Sequence, residues 1–210
     1  MSEDGLIVGA DGKARCGWPG DDPAYVAYHD REWGRPVADD RRLFEKLCLE
    51  GFQSGLSWRT ILAKRENFRR AFAGFDVEAL AGWGEPEVAA LLREAGVVRH
   101  RGKIESVLNN ARRARDLSAE AGSLAAFLWR FEPGAASRPA RLDRATLLTI
   151  ARTPESAALS RELKRRGWSF VGPTTLYALM QASGLVNDHL EGCAFRAEVE
   201  AERAAFRRPR

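Results

Sequence analysis

An all-α fold is predicted for this 210-residue chain, and three observations predict it. Apolar residues recur at helical spacing, the periodic stretches begin at residues that cap helices, and they end at glycines. No run of convincing length alternates polar and apolar side chains, and no repeat period is visible.

Residues 1–14 are weakly patterned around Gly5, Gly9 and Gly12, and a loose N-terminal extension is expected there. In Cys16-Gly17-Trp18-Pro19-Gly20-Asp21-Asp22-Pro23 turn formers surround a tryptophan, which displays Trp18 on a loop. A dense aromatic cluster with one histidine follows, Tyr25 to Gly34, which core packing alone would also explain. Asp39 or Asp40 supplies the N-cap of a helix with Leu43, Phe44, Leu47 and Cys48 on its inward stripe. Ser57 caps a helix running to about Phe72, and Asp76 and Glu85-Pro86 start two short ones. Glu94 to Lys103 is a tight basic connection, in which His100 reads as a surface or phosphate contact; Ile104, Val107, Leu108 and Ala111 mark the next helix. Another begins at Ser123 and ends near Phe131, and Glu132 to Ala140 forms a long loop. Thr153-Pro154 opens a helix that stops at Gly167, and after a short connector Gly172-Pro173 opens one that stops at Gly184. The domain expected is a single compact unit over 15–195 built of two intimately packed helical sub-bundles, with 196–210 as a basic C-terminal tail.

A hydrophobic content of 45% can supply a core, and the formal charge of +4 with a pI near 9.2 permits nucleic acid as a partner without demanding it. Apolar runs are too short and too charged to span a membrane, and Met1-Ser2-Glu3-Asp4 carries the wrong charge for a signal peptide. Three cysteines, an odd number, argue against a disulfide framework and for a reduced, cytoplasmic setting.

Glu50 falls three residues after Leu47, on the same inward face, and a carboxylate there needs an explanation. Gly51 and Gly55 give room beside it and Trp58 gives a flat surface, which together suggest a pocket; capping of a neighbouring helix or pairing with an arginine is the plainer alternative. Cys16 and His29 lie near one end of the chain, and His189 and Cys193, at i, i+4, near the other. Two thiolates and two imidazoles make a tetrahedral zinc set, and four protein ligands would make it structural; taken singly, each pair is as readily packed core. Cys48 on the apolar face reads as core. The helix start at Gly172 has outward amides that attract phosphate, with Arg161, Lys164, Arg165 and Arg166 just before it; an ordinary helix connection with a solvated basic face fits too. No P-loop, dinucleotide fingerprint or nucleophile triad is present.

Taken together, Arg15-Cys16-Gly17-Trp18, Tyr28 to Gly34, Cys48 to Trp58, Gly96 to Ile104, Phe170 to Thr174 and Gly184 to His189 resemble the 3-methyladenine DNA glycosylase I family over residues 15–193. The resemblance implies a helix-hairpin-helix glycosylase fold and one structural zinc ion on Cys16, His29, His189 and Cys193. It also implies excision of 3-methyladenine from double-stranded alkylated DNA by a monomeric enzyme with no membrane partner. It assigns the base pocket to Glu50 as catalytic residue with Tyr28, Trp58, Trp18 and Tyr25. Leu56 would fill the gap in the duplex, and Gly172, Thr174, Lys164 and Arg165 would meet the DNA. Pro173 and Thr174 stand where some helix-hairpin-helix glycosylases carry a Schiff-base lysine, so base removal without strand cleavage is expected. Asp188, beside a zinc ligand, is expected to support that ligand. Two rivals are a zinc-clasped module that senses alkylation without cutting and a helical protein with an incidental metal site.

Overall fold

The computed structural model describes residues 4–210. They fold into a mostly helical body with twelve α-helices and one small hairpin. The hairpin joins β1 (Leu6–Val8) and β2 (Ala14–Cys16), antiparallel, with Leu6 opposite Cys16. The loose extension expected over 1–14 therefore holds for none of residues 6–14, and residues 1–3 lie outside the described residues.

The helices are α1 (Pro23–Arg31), α2 (Asp40–Gln53), α3 (Trp58–Ala63), α4 (Arg65–Ala71), α5 (Val77–Ala81), α6 (Glu85–Leu91), α7 (Arg101–Ala121) and α8 (Leu124–Trp129). They continue as α9 (Arg144–Leu148), α10 (Pro154–Arg165), α11 (Pro173–Ala182) and α12 (Arg196–Ala205). Cap chemistry sets most starts. Asp22, Asp39, Ser57, Asp76, Ser123, Asp143 and Thr153 each accept from a backbone amide of the first turn they precede. Asp40 does not cap its own helix; its carboxylate takes the Leu124 and Ala125 amides and so pins α8 to the start of α2. The single helix expected from Ser57 to Phe72 is two, broken at Lys64. His100 is exposed, but its ring caps α7 by accepting from the Lys103 amide.

The expected basic tail over 196–210 is largely α12, which packs back on the body. Val199 is fully buried, Arg203 and Arg208 both pair with Glu132, and the Phe206 ring lies 4.6 Å from that of Trp129. α2 runs through the middle, with every residue from Leu43 to Phe52 buried. α3, α7, α8 and α11 pack around it. Its Phe52 opens a line of rings through Phe68, Phe72 and Phe75. A smaller cluster of Cys16, Leu190, Cys193 and Phe195 joins the two ends of the chain. No helix among the described residues is long and apolar enough to cross a membrane.

Candidate functional site

The central helix carries three buried charged residues beyond its first turn, and their surroundings differ. Glu45 is paired with Arg69 at 2.7 Å. Lys46 sits with its ammonium 5.7 Å from the centre of the Tyr28 ring. Glu50, 5% exposed, has neither a hydrogen bond nor an ion pair among the described residues. Its side chain lines a cavity of about 500 Å³ together with Trp18, Tyr25, Tyr28, Gln53 and Trp58. Burial lifts the Glu50 carboxyl to about 8 in spite of the ammonium of Lys46 one turn earlier. The carboxylate is felt by both tyrosines, whose hydroxyls are raised first by burial and next by the Glu50 charge.

The walls are aromatic, with Trp18 edge to face on its neighbours and Tyr28 tilted against Trp58. Trp18 lies 4.9 Å from Tyr25 and 5.1 Å from Trp33, and Tyr28 lies 5.3 Å from Trp58. The indole N–H of Trp58 is buried without an acceptor, a second polar group in the wall left for something other than protein. Asp188 also lines the cavity, but it is not a support for the Cys/His cluster as expected. Its carboxylate accepts from the Tyr177 hydroxyl (2.5 Å) and the Gln181 amide (2.8 Å) and pairs with Arg138, so it ties the 132–140 segment to α11. Trp33, Gln53 and Gln181 also line the cavity and were not singled out from sequence, because nothing in their spacing separates them from core or surface.

Cys16, His29, His189 and Cys193 are buried with their ligand atoms all within 4.8 Å of one another, a group that can hold one metal ion. His29 Nδ1 donates to the Asp30 carboxylate (2.7 Å) and His189 Nε2 to the Trp33 carbonyl (3.1 Å), which turns one lone pair of each ring inward. Those two nitrogens, His29 Nε2 and His189 Nδ1, face each other at 3.1 Å. Two acceptors at that distance need a cation or a proton between them. The Cys193 thiol is drawn far below its ordinary value by the Cys16 sulfur and the two imidazoles. The carboxylate that orients a cluster histidine is Asp30, held in turn by Arg15, and its position next to His29 was the available signal.

Leu56 stands 42% exposed on the turn between α2 and α3, where Gly55 adopts φ +78°. The turn is held from below by the buried Lys103 at the start of α7, whose ammonium donates to the Phe52 and Ser54 carbonyls. α10, the connector 166–172 and α11 form a helix, turn and helix. Asn110 on α7 clamps the connector by exchanging two hydrogen bonds with the Ser169 backbone, and Ser160 holds the Val171 carbonyl. α11 starts at Gly172 and Pro173 with no side-chain cap, so its first amides, that of Thr174 among them, stay open. Lys164 is exposed, and Arg165 is tied to Glu162.

The family model described as methyladenine glycosylase matches residues 18–197. The chain belongs to that family. It is 47% identical over 181 residues to DNA-3-methyladenine glycosylase 1 of Escherichia coli K12, an alignment covering 85% of this chain and 95% of that protein. A crystal structure of 3-methyladenine DNA glycosylase I superposes with a TM-score of 0.81 at 47% identity, covering 86% of this chain and 98% of the other. A single-residue tyrosine-to-phenylalanine variant of 3-methyladenine DNA glycosylase I in complex with 3-methyladenine superposes at 0.77 with 32% identity, covering 87% and 97%.

Proposed function

We propose that the protein is a monomeric, cytoplasmic DNA repair glycosylase that hydrolyses the N-glycosidic bond of 3-methyladenine in double-stranded alkylated DNA. It flips the base, releases it free, and leaves an abasic site without cutting the strand. The observation that carries this reading is the unpartnered, buried Glu50 carboxyl on an aromatic-walled cavity, in a chain whose relatives are named for this activity.

Methylation at N3 makes the purine cationic and weakens its bond to the sugar, so recognition supplies much of the catalysis. Trp58, with Trp18 or Tyr25, stacks on the cation, an attraction of about 0.5–2 kcal/mol. Glu50 serves as the counter-ion of the bound cation, and its oxygens accept from the adenine edge, with Tyr28 adding a further contact. A guanine carbonyl in that place would meet like charge. Leaving the stack costs a few kcal/mol, less for a damaged base, and Leu56 fills the gap behind it. As water attacks C1′ and the bond to N9 breaks, the carboxylate faces an oxocarbenium-like sugar and stabilises it. The open amides of α11 take a backbone phosphate, with Lys164 and Arg165 beside them. No lysine lines the cavity among the described residues, which supports base removal without lyase chemistry.

The Cys/His cluster suits zinc. Bond lengths of about 2.0 Å to nitrogen and about 2.3 Å to sulfur give a tetrahedron with N···N edges near 3.3 Å and S···N edges near 3.5 Å, as rough values. The cluster has 3.1 Å for the former and 3.4, 3.7 and 3.9 Å for three of the latter. Four protein ligands leave no position for a catalytic water, so zinc there would be structural.

The test is incubation of alkylated duplex with the protein, then chromatography for free base and gel analysis for nicks. Free 3-methyladenine with unbroken strands is expected, with Glu50→Gln and Glu50→Ala slowed by at least tenfold. Tight binding of alkylated DNA with no base released would point to the damage-sensing module in its place.

A further inference from the structure

One part of the cavity wall is built by Gly5 of the N-terminal segment, which precedes the residues matched by the family model, and by Arg144, Leu147 and Leu148 of α9, which lie within them. Among the described residues Arg144 is the only cation in that lining, it is exposed, and it has no ion pair or hydrogen bond. Its neighbours offer it none: Asp143 caps α9 and, with Glu191, pairs with Arg141.

A free guanidinium beside a cavity built to take a cation is unfavourable unless something negative comes with that cation. A nucleotide brings its phosphate. The fold also holds this side chain in place. Gly5 sits at φ +82°, and a Cβ there would lie 2.7 Å from Arg144 Cδ and 2.9 Å from its Cβ, so the glycine is the seat of the arginine stem. The seat is fixed because the Gly5 carbonyl accepts from the Gly17 amide at 2.8 Å, next to Trp18. Leu6 and Leu147 both pack on the cluster of Cys16, Leu190, Cys193 and Phe195. Hairpin, α9 and pocket wall therefore form one unit, with the charged head at the rim.

We propose that Arg144, seated on Gly5, binds a phosphate flanking the flipped nucleotide and so positions the sugar over Glu50. This rests on the glycosylase reading and adds a binding residue to it. Phosphate contacts release counter-ions, and each contributes about 0.9 to the slope of log affinity against log salt. Binding of a duplex with a stable abasic-site analogue is measured from about 50 to about 200 mM salt, and free 3-methyladenine binding is measured alongside. Arg144→Gln should keep the wild-type melting temperature, lower the slope by about 0.9, and so narrow its deficit about 3.5-fold across that range. Its affinity for free 3-methyladenine should be unchanged, and Arg144→Lys should restore most of the slope. An unchanged slope in Arg144→Gln overturns the proposal, as does a loss of free-base affinity with the slope intact. Failure of the wild type to release base would sink the glycosylase reading instead, since the salt slope is read from binding alone.

Discussion

Glu50 holds a proton to about pH 8 in the native protein, whereas the unfolded chain gives it up near 4.5. Between those values the native state binds the extra proton, so stability falls as pH rises from about 4.5 to about 8 and is level on the acid side of that window. Glu50→Gln removes the penalty. Urea titrations should find the variant close to wild type at pH 5 and more stable at pH 8, by an amount on the order of 3 kcal/mol. Parallel stability profiles for the two proteins would mean that the carboxyl titrates normally and that the cavity does not desolvate it. The position was legible in sequence because an acid three residues after Leu47 breaks an apolar face. Its lack of a partner was not legible, since Glu45 on the same buried helix finds Arg69 from a different element. Adjacency to a cluster histidine suggested Asp188 as its support, and Asp30 has that part instead, because the direction of each carboxylate is set by tertiary partners: Arg15 for Asp30, Tyr177, Gln181 and Arg138 for Asp188.

Helix starts were readable because each depends on one local side chain, and Ser57, Asp76, Ser123 and Thr153 cap where the sequence places them. The hairpin was missed because strands of three residues are too short to show alternation, although Asp11-Gly12 is a turn pair that pointed to it. α12 was read as a tail from its terminal arginines, yet it is Val199 and Phe206 that fasten it and Arg203 and Arg208 that meet Glu132. Lys103 belongs to this scale too: its ammonium serves the carbonyls at the end of α2, where the helix dipole is negative and the turn that carries Leu56 begins. Lys103→Met should cost about 1–3 kcal/mol in urea unfolding because it strands the buried Phe52 carbonyl and releases that of Ser54. Lys164→Met, on an exposed face, should stay within about 0.5 kcal/mol. The Lys103 variant should also bind an abasic-analogue duplex more weakly. Equal stability of the two variants would mean that water replaces the ammonium and that the Leu56 turn holds itself.

Across the whole molecule, the Cys/His cluster closes the chain upon itself: ligands from β2 and α1 meet ligands that lie beyond α11. The main core, from Val37 to Val186, is separate from the small cluster around Cys16 and Cys193, so loss of a metal should loosen the ends without melting the helices. The consequence for the pocket is direct. Trp18 follows Cys16 by two residues, stands 5.3 Å from His29, and has its neighbouring Gly17 bonded to the hairpin, so the mobile part would be one wall of the base cavity while Glu50 on the central helix stays put. Elemental analysis should find one zinc per chain. Dialysis against a strong chelator should lower the melting temperature, leave far-ultraviolet circular dichroism nearly unchanged, and reduce base release through weaker substrate binding. Asp30→Asn, which leaves all four ligands in place, should lower zinc affinity about 10- to 100-fold in competition with a chelating dye, because the hydrogen bond that turns the His29 ring is weakened. A protein purified without metal whose melting temperature and base release do not respond to added zinc would show that the thiols and imidazoles close the fold by packing alone.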